Sequence, residues 1–171
     1  MTAGCSLRPA LGGTRGRVPE REAVAMTAGR IVVGVDGSPS SRDALRWAKA
    51  QADLLGQELV VVTAWTHPTA SYPTLSGFVP MGDVADLGAE TRAVTERAVK
   101  ETVGDAPVVL RIVEGHPARA ILDAARDASL VVVGCRGHGG FVGALVGSVS
   151  QHVVAHAPCP VVVIRHAQAA A

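Results

Sequence analysis

The sequence predicts an α/β domain in which an open, parallel, five-stranded sheet is covered by helices on both faces. Three observations predict it. Five short runs rich in valine and isoleucine, RIVVGV at 30–35, ELVVVTAW at 58–65, VVLRIV at 108–113, SLVVVG at 129–134 and PVVVIR at 160–165, alternate with four segments of helical character. The runs are close to continuously apolar instead of alternating, as in strands buried on both faces. Aromatic residues make up only 3% of the 171-residue chain, so small aliphatic side chains have to fill the core, and β-branched ones suit a pleated sheet.

Taken in order, residues 1–27 hold few large apolar side chains and many Gly, Pro and Arg, which makes them a disordered leader. The MTAG of residues 1–4 recurs at 26–29, so an overcalled start is the other reading. The first strand runs into DGSPSS, where Ser38 suits an N-cap and Pro39 the first helical position; Gly56 suits the C-cap. Between them Ala44, Leu45, Ala48, Ala52 and Leu55 follow a 3.6-residue period and form one buried face. Ser38 and Ser40 read as cap residues and not as nucleophiles, since no histidine stands in a motif with them. After the second strand, residues 66–82 are rich in Pro, Ser and Gly; loops longer than about 12–15 residues are usually functional, so this one is a candidate lid. Helical patterns follow at 83–103, 117–127 and 148–157, separated by the third and fourth strands and a glycine-rich loop. The domain is expected to span 28–167, with 168–171 a flexible tail.

A formal charge of +1 with scattered arginines lacks the basic face of a nucleic-acid-binding domain. Cys5, Cys135 and Cys159 share no motif spacing, which suits a reducing compartment better than a disulfide framework. No apolar run nears the roughly 20 residues of a membrane span. The start also lacks the apolar stretch of about 7–15 residues of a secretory signal. The expectation is a cytoplasmic protein with no membrane or polynucleotide partner.

The fourth strand ends in GCRGHGGFVGALVGSVS, residues 134–150. A helix N-terminus presents unpaired amides and the positive end of a dipole, so Gly147, Ser148, Val149 and Ser150 form a candidate anion site to which the two serine hydroxyls add donors. Gly134 and Gly137 let the chain turn and leave amides free for a phosphate-sized nest. No lysine follows Gly147, which excludes a Walker A loop, and GCRGHG does not open a helix as a dinucleotide fingerprint does. Ligands of open α/β sheets bind beyond the carboxyl ends of the strands. If the first and fourth strands are neighbours, Asp36 and Gly134 face each other across one crevice. Asp36 then borders a ligand in that crevice, or only shapes the DGSP turn. His138 and Arg136 are each either phosphate contacts or solvated loop residues. Cys135 reads as packing and Cys159 as inert. His152 and His156 are spaced i, i+4, but the glutamate of HExxH is absent and a zinc site needs more ligands.

The spacing G-x2-G-x9-G followed by Ser resembles that of the universal stress proteins, and IVVGVDGSPSSRDALRWA and HAPCPVVVIR add to the resemblance, which covers about residues 28–166. The resemblance implies an adenine-nucleotide alpha-hydrolase-like sheet of order 3-2-1-4-5, a homodimer through the last strand at 160–165, and ATP binding. It implies Asp36 near the nucleotide and Mg2+, Ala64, Trp65 and Val113 near the base or ribose, and Gly134, Gly137, His138, Gly147, Ser148, Val149 and Ser150 around ribose and phosphates. Trp65 departs from the small aliphatic residue expected there; it closes the base pocket or packs under the loop. The function expected is a stress-response regulator that binds ATP and hydrolyses it slowly at most. The alternatives are a nucleotide-free dimeric module of the same fold and a slow ATPase.

Overall fold

The computed structural model describes residues 29–66, 84–137 and 146–166. The leader, residues 67–82 of the candidate lid, His138 and the final tail lie outside the described residues. Strands β1 (Arg30–Gly34), β2 (Glu58–Trp65), β3 (Val109–Glu114), β4 (Leu130–Gly134) and β5 (Val161–Ile164) form one sheet of order β3-β2-β1-β4-β5. All four pairings are parallel. Helices α1 (Pro39–Leu55), α2 (Val84–Val103), α3 (Pro117–Ala124) and α4 (Ser148–His156) connect them, and a 3-10 turn at Ala125–Asp127 completes the segment expected as one helix to Asp127.

Strand periodicity splits the core into two layers. Ile31, Val33, Val61 and Val132 face α1 and α2, where Ala44, Leu45, Ala48 and Val99 meet them. Val32, Val60, Val62, Val131 and Val133 face α3 and α4, packing on Ala118, Ile121 and Val153. Both faces of the central strands are therefore dry, which is why their sequences show no polar alternation. Four of the five apolar positions expected on α1 are buried; Leu55, in the last turn, is 47% exposed.

The chain builds β1, β2 and β3 toward one edge and then returns to place β4 and β5 on the other side of β1. The order reverses between β1 and β4, which opens a crevice at their carboxyl ends. Among the described residues no helix is long and apolar enough to cross a membrane.

Helix α1 begins at Ser38, whose Oγ accepts the Ser41 N–H at 3.2 Å, and Pro39 fills the first turn. It ends at Gly56, φ 62°, where the Gly56 and Gln57 amides fold back onto the Asp53 and Ala52 carbonyls. A side chain in that left-handed conformation costs roughly 1–2 kcal/mol. Gly56→Ala is expected to destabilise the domain by about 1 kcal/mol and to lower the calorimetric Tm by roughly 4 °C.

Candidate functional site

The loops leaving β1 and β4 meet at the reversal point. Asp36 Oδ1 accepts the Ser38 N–H at 3.0 Å and holds the DGSP turn. That turn aims two buried serines at the other loop: Ser38 Oγ donates to the Arg136 carbonyl at 3.2 Å, and Ser40 Oγ donates to the same oxygen. Ser38 is the cap that the sequence predicts, but Ser40 has a further job. It joins segments 96 residues apart.

The motif glycines are placed differently. A Cβ on Gly134 would lie 2.7 Å from Ser40 Oγ and 2.8 Å from the backbone of Ser40 and Ser41, so β4 ends flush against the first turn of α1. A Cβ on Gly137 would collide with Asp36 Oδ2. At Gly147 the nearest atom, the Cys135 carbonyl oxygen, is 3.5 Å away, an ordinary contact, and φ is −73°.

Helix α4 is anchored over β4 by two bonds. The Gly147 amide donates to the Cys135 carbonyl at 2.7 Å, and Ser150 Oγ donates to the Gly134 carbonyl at 2.6 Å. The Ser150 hydroxyl proton thus goes to the backbone, and what α4 offers a ligand is its first-turn backbone and the exposed Ser148. No side chain caps this helix, because its N-cap is Gly147.

A cavity of about 540 Å³ occupies the crevice. That lies within the size range of small-molecule sites, ~300–1,000 Å³. Its polar end is the group Asp36, Gly137, Gly147 and Ser148, where Asp36 and Gly147 both approach Gly137; its apolar end is the group Val62, Ala64, Val133, Pro117 and Ile121, where Ile121 and Val133 both approach Gly34. Asp36, Ala64, Gly134, Gly137, Gly147, Ser148, Val149 and Ser150 all line it, as does Arg136.

Val113 stands outside. It pairs with Ala64 on β3, two strands from β1, is 36% exposed and does not line the cavity. Trp65, next along β2, points to the opposite face, where it lines a separate hollow of about 360 Å³ and lies against Gly88 of α2. Strand alternation therefore gives it to α2 packing. His138 lies outside the described residues.

His152 and His156 stack with ring centroids 4.3 Å apart, and His156 Nδ1 lies 2.8 Å from the His152 carbonyl oxygen. Among the described residues no group of three or more His, Cys, Asp or Glu side chains comes together. Cys135 is buried, and burial pushes the Cys159 thiol up from its ordinary value, which keeps it in the less reactive protonated form.

Sequence reasoning missed the α3 side of the cavity, Pro117 and Ile121. The available signal was Gly34, a glycine closing a β-branched strand where no turn begins.

Comparison with known proteins adds to this geometry. Residues 27–165 match the model of the universal stress protein family. A universal stress protein of Mycolicibacterium smegmatis is 34% identical over 145 residues, which cover 79% of this chain and 45% of that protein; the chain thus spans less than half the length of this relative. Universal stress protein UspA from Lactobacillus plantarum superposes with a TM-score of 0.65 at 26% identity, covering 81% of this chain and 98% of that one. A universal stress protein solved in complex with cAMP gives a TM-score of 0.53 at 27% identity over 82% and 99% of the two chains.

The contrast between Gly134 and Gly147 is testable. Gly134→Ala is expected to cost about 2–3 kcal/mol, because an extra carbon in a close-packed contact forces backbone to move. Gly147→Ala meets no close contact and is expected to lose only the N-cap preference of glycine over alanine, about 0.5–1 kcal/mol in urea melts.

Proposed function

The chain belongs to the universal stress protein family, and from that premise we propose that its cavity binds an adenine nucleotide, ATP with Mg2+, and that occupancy regulates the protein during stress. The carrying observation is the pairing of an uncapped α4 N-terminus with an apolar recess in one cavity. The polar end suits phosphate, since first-turn amides and the helix dipole favour an anion by typically 0.3–1 kcal/mol and up to about 2 when partly buried. The apolar end suits a base, buried between Val62 and Ala64 on β2 and Ile121 on α3. That a solved relative at 27% identity was captured with cAMP supports an adenine nucleotide as the guest.

Mg2+ takes one or two carboxylates together with substrate phosphates and keeps several waters. Asp36, a hard oxygen donor at the polar end, fits that requirement. The ion would neutralise polyphosphate charge that Arg136 alone does not balance.

Binding without rapid turnover is the proposed mode. The hydroxyls of Ser38, Ser40 and Ser150 are engaged with backbone carbonyls, so they serve the shape of the site and not nucleophilic attack. Regulation then follows from differential affinity: a nucleotide that bridges the β1 loop, β2 and α4 favours the conformation in which those elements are together.

Titration calorimetry with ATP and Mg2+, AMP and cAMP is expected to give roughly micromolar affinity for at least one of them, with phosphate release from ATP near background. No heat from any of the three, on protein with an intact circular dichroism spectrum, would overturn the reading. Gly147→Asp sharpens the test. An aspartate at the N-cap takes the first-turn amides for itself and gains at most a few tenths of a kcal/mol for the fold, so affinity should fall at least about tenfold, ~1.4 kcal/mol, without loss of stability.

The same reading extends to a homodimer. Among the described residues β5 pairs with β4 alone in the sheet, and its four residues are all half-buried, leaving an apolar sheet edge to be covered by a second copy. Light scattering is expected to return twice the chain mass; a monomer at all concentrations would remove this part of the proposal.

A further inference from the structure

Resting on the adenine-nucleotide reading, we propose that Ile121 sets how large a base the apolar end of the cavity accepts, and that Gly34 is the residue that lets it do so. Ile121 comes from α3, is 4% exposed and lines the cavity opposite the sheet. Its side chain lies over the end of the central strand β1. A Cβ built on Gly34 would sit 2.6 Å from Ile121 Cδ1, closer than two carbons approach, and 3.3 Å from Cγ1, a tight contact. Gly34 is not one of the glycines with positive φ, so backbone conformation does not demand it. Space does: β1 gives up its last side chain, and the Ile121 methyl takes the room.

Two features make this a size limit and not soft packing. Among the other apolar lining residues, Val62 and Ala64 on β2 and Val133 on β4 belong to strands locked in the ladder, and Pro117 opens the same helix as Ile121. A β-branched isoleucine in a helix holds one strongly preferred χ1 rotamer, which fixes Cγ1 and Cγ2 and leaves only the terminal Cδ1 to turn about χ2, so the bulk of Ile121 does not swing aside for a larger guest. The accepted class is a nucleotide with an unsubstituted purine; bulk on the base edge that meets Ile121 is excluded. Gly34 and Ile121 also form a complementary pair, because an alanine at 34 would return carbon to the volume that Ile121 Cδ1 now fills.

The test measures dissociation constants on the full chain for AMP and for AMP carrying a benzyl-sized group at N6, C2 or C8. Unmodified protein is expected to prefer AMP over each analogue. Ile121→Ala should reduce that preference about tenfold or more for at least one analogue, the scale of apolar-pocket discrimination. Ile121→Val, which lacks only Cδ1, should move it in the same direction by less, and it carries the test where the alanine variant fails to fold. Gly34→Ala combined with Ile121→Ala should restore most of the discrimination, a rescue that general loosening of the core does not produce. If Ile121→Ala or Ile121→Val changes AMP and every analogue by the same factor, or the double variant restores nothing, the size-limit role is overturned while nucleotide binding stands. If the unmodified protein binds neither AMP nor its analogues, both readings fall.

Discussion

The seam between the first turn of α1 and the segment leaving β4 is the constraint on which the site depends. The Arg136 carbonyl receives Ser38 and Ser40, and Gly134 lies so close to Ser40 and Ser41 that no side chain fits between them. A typical internal hydrogen bond nets only about 1 kcal/mol, but a buried hydroxyl left without a partner costs roughly 1–3 kcal/mol, so the carbonyl matters chiefly because it satisfies two buried serines. Once the seam is closed, Asp36 has one place to go. Its Oδ1 is tied to the Ser38 amide and its Oδ2 comes up against Gly137.

The seam also determines where α4 begins. Beyond β4 the Cys135 amide still donates to the Ile164 carbonyl at 2.7 Å, while the carbonyls of Gly134 and Cys135 turn to Ser150 and Gly147. These bonds pin the start of α4 above the reversal point. The pinning leaves the electropositive end of the helix open to the cavity, since a glycine N-cap cannot supply its own acceptor. A seryl or aspartyl cap would have stabilised the helix locally and competed with any anion. The polar and apolar ends of the cavity thus have separate origins: helix-terminus electrostatics on one side, and the packing of α3 over β1 on the other.

Much of this was legible in the chain because its signals are local. Continuous β-branched runs mark strands buried on both faces, and Ser38, Pro39 and Gly56 punctuate α1 where the structure starts and stops it. The glycines that the spacing picks out, Gly134, Gly137 and Gly147, all line the cavity. What could not be read is what depends on long-range register. Val113 stands beside Ala64 in the ladder and on the same face, but its strand lies one place too far from the crevice to reach the cavity, whereas one residue of strand alternation puts Trp65 on the far face of β2. Ile121 carried no local mark. Its place at the site arises from α3 crossing the end of β1, and only the bare Gly34 hinted that something must occupy that space.

The three motif glycines illustrate why a spacing pattern is not itself an explanation. Gly134 is required by protein against protein, since a methyl there would meet the backbone of α1, which cannot yield without moving a whole helix. Gly137 gives way to a carboxylate: a Cβ there would displace Asp36 Oδ2 from its place in the cavity lining. Gly147 answers to neither demand, having an ordinary helical-entry φ and contacts no closer than 3.5 Å. Any residue could be built there without strain, and several would cap α4 better. A glycine required by neither strain nor packing, at a helix N-terminus that lines the cavity, keeps the first-turn amides clear of a side-chain acceptor, and that is the condition the proposed anion needs.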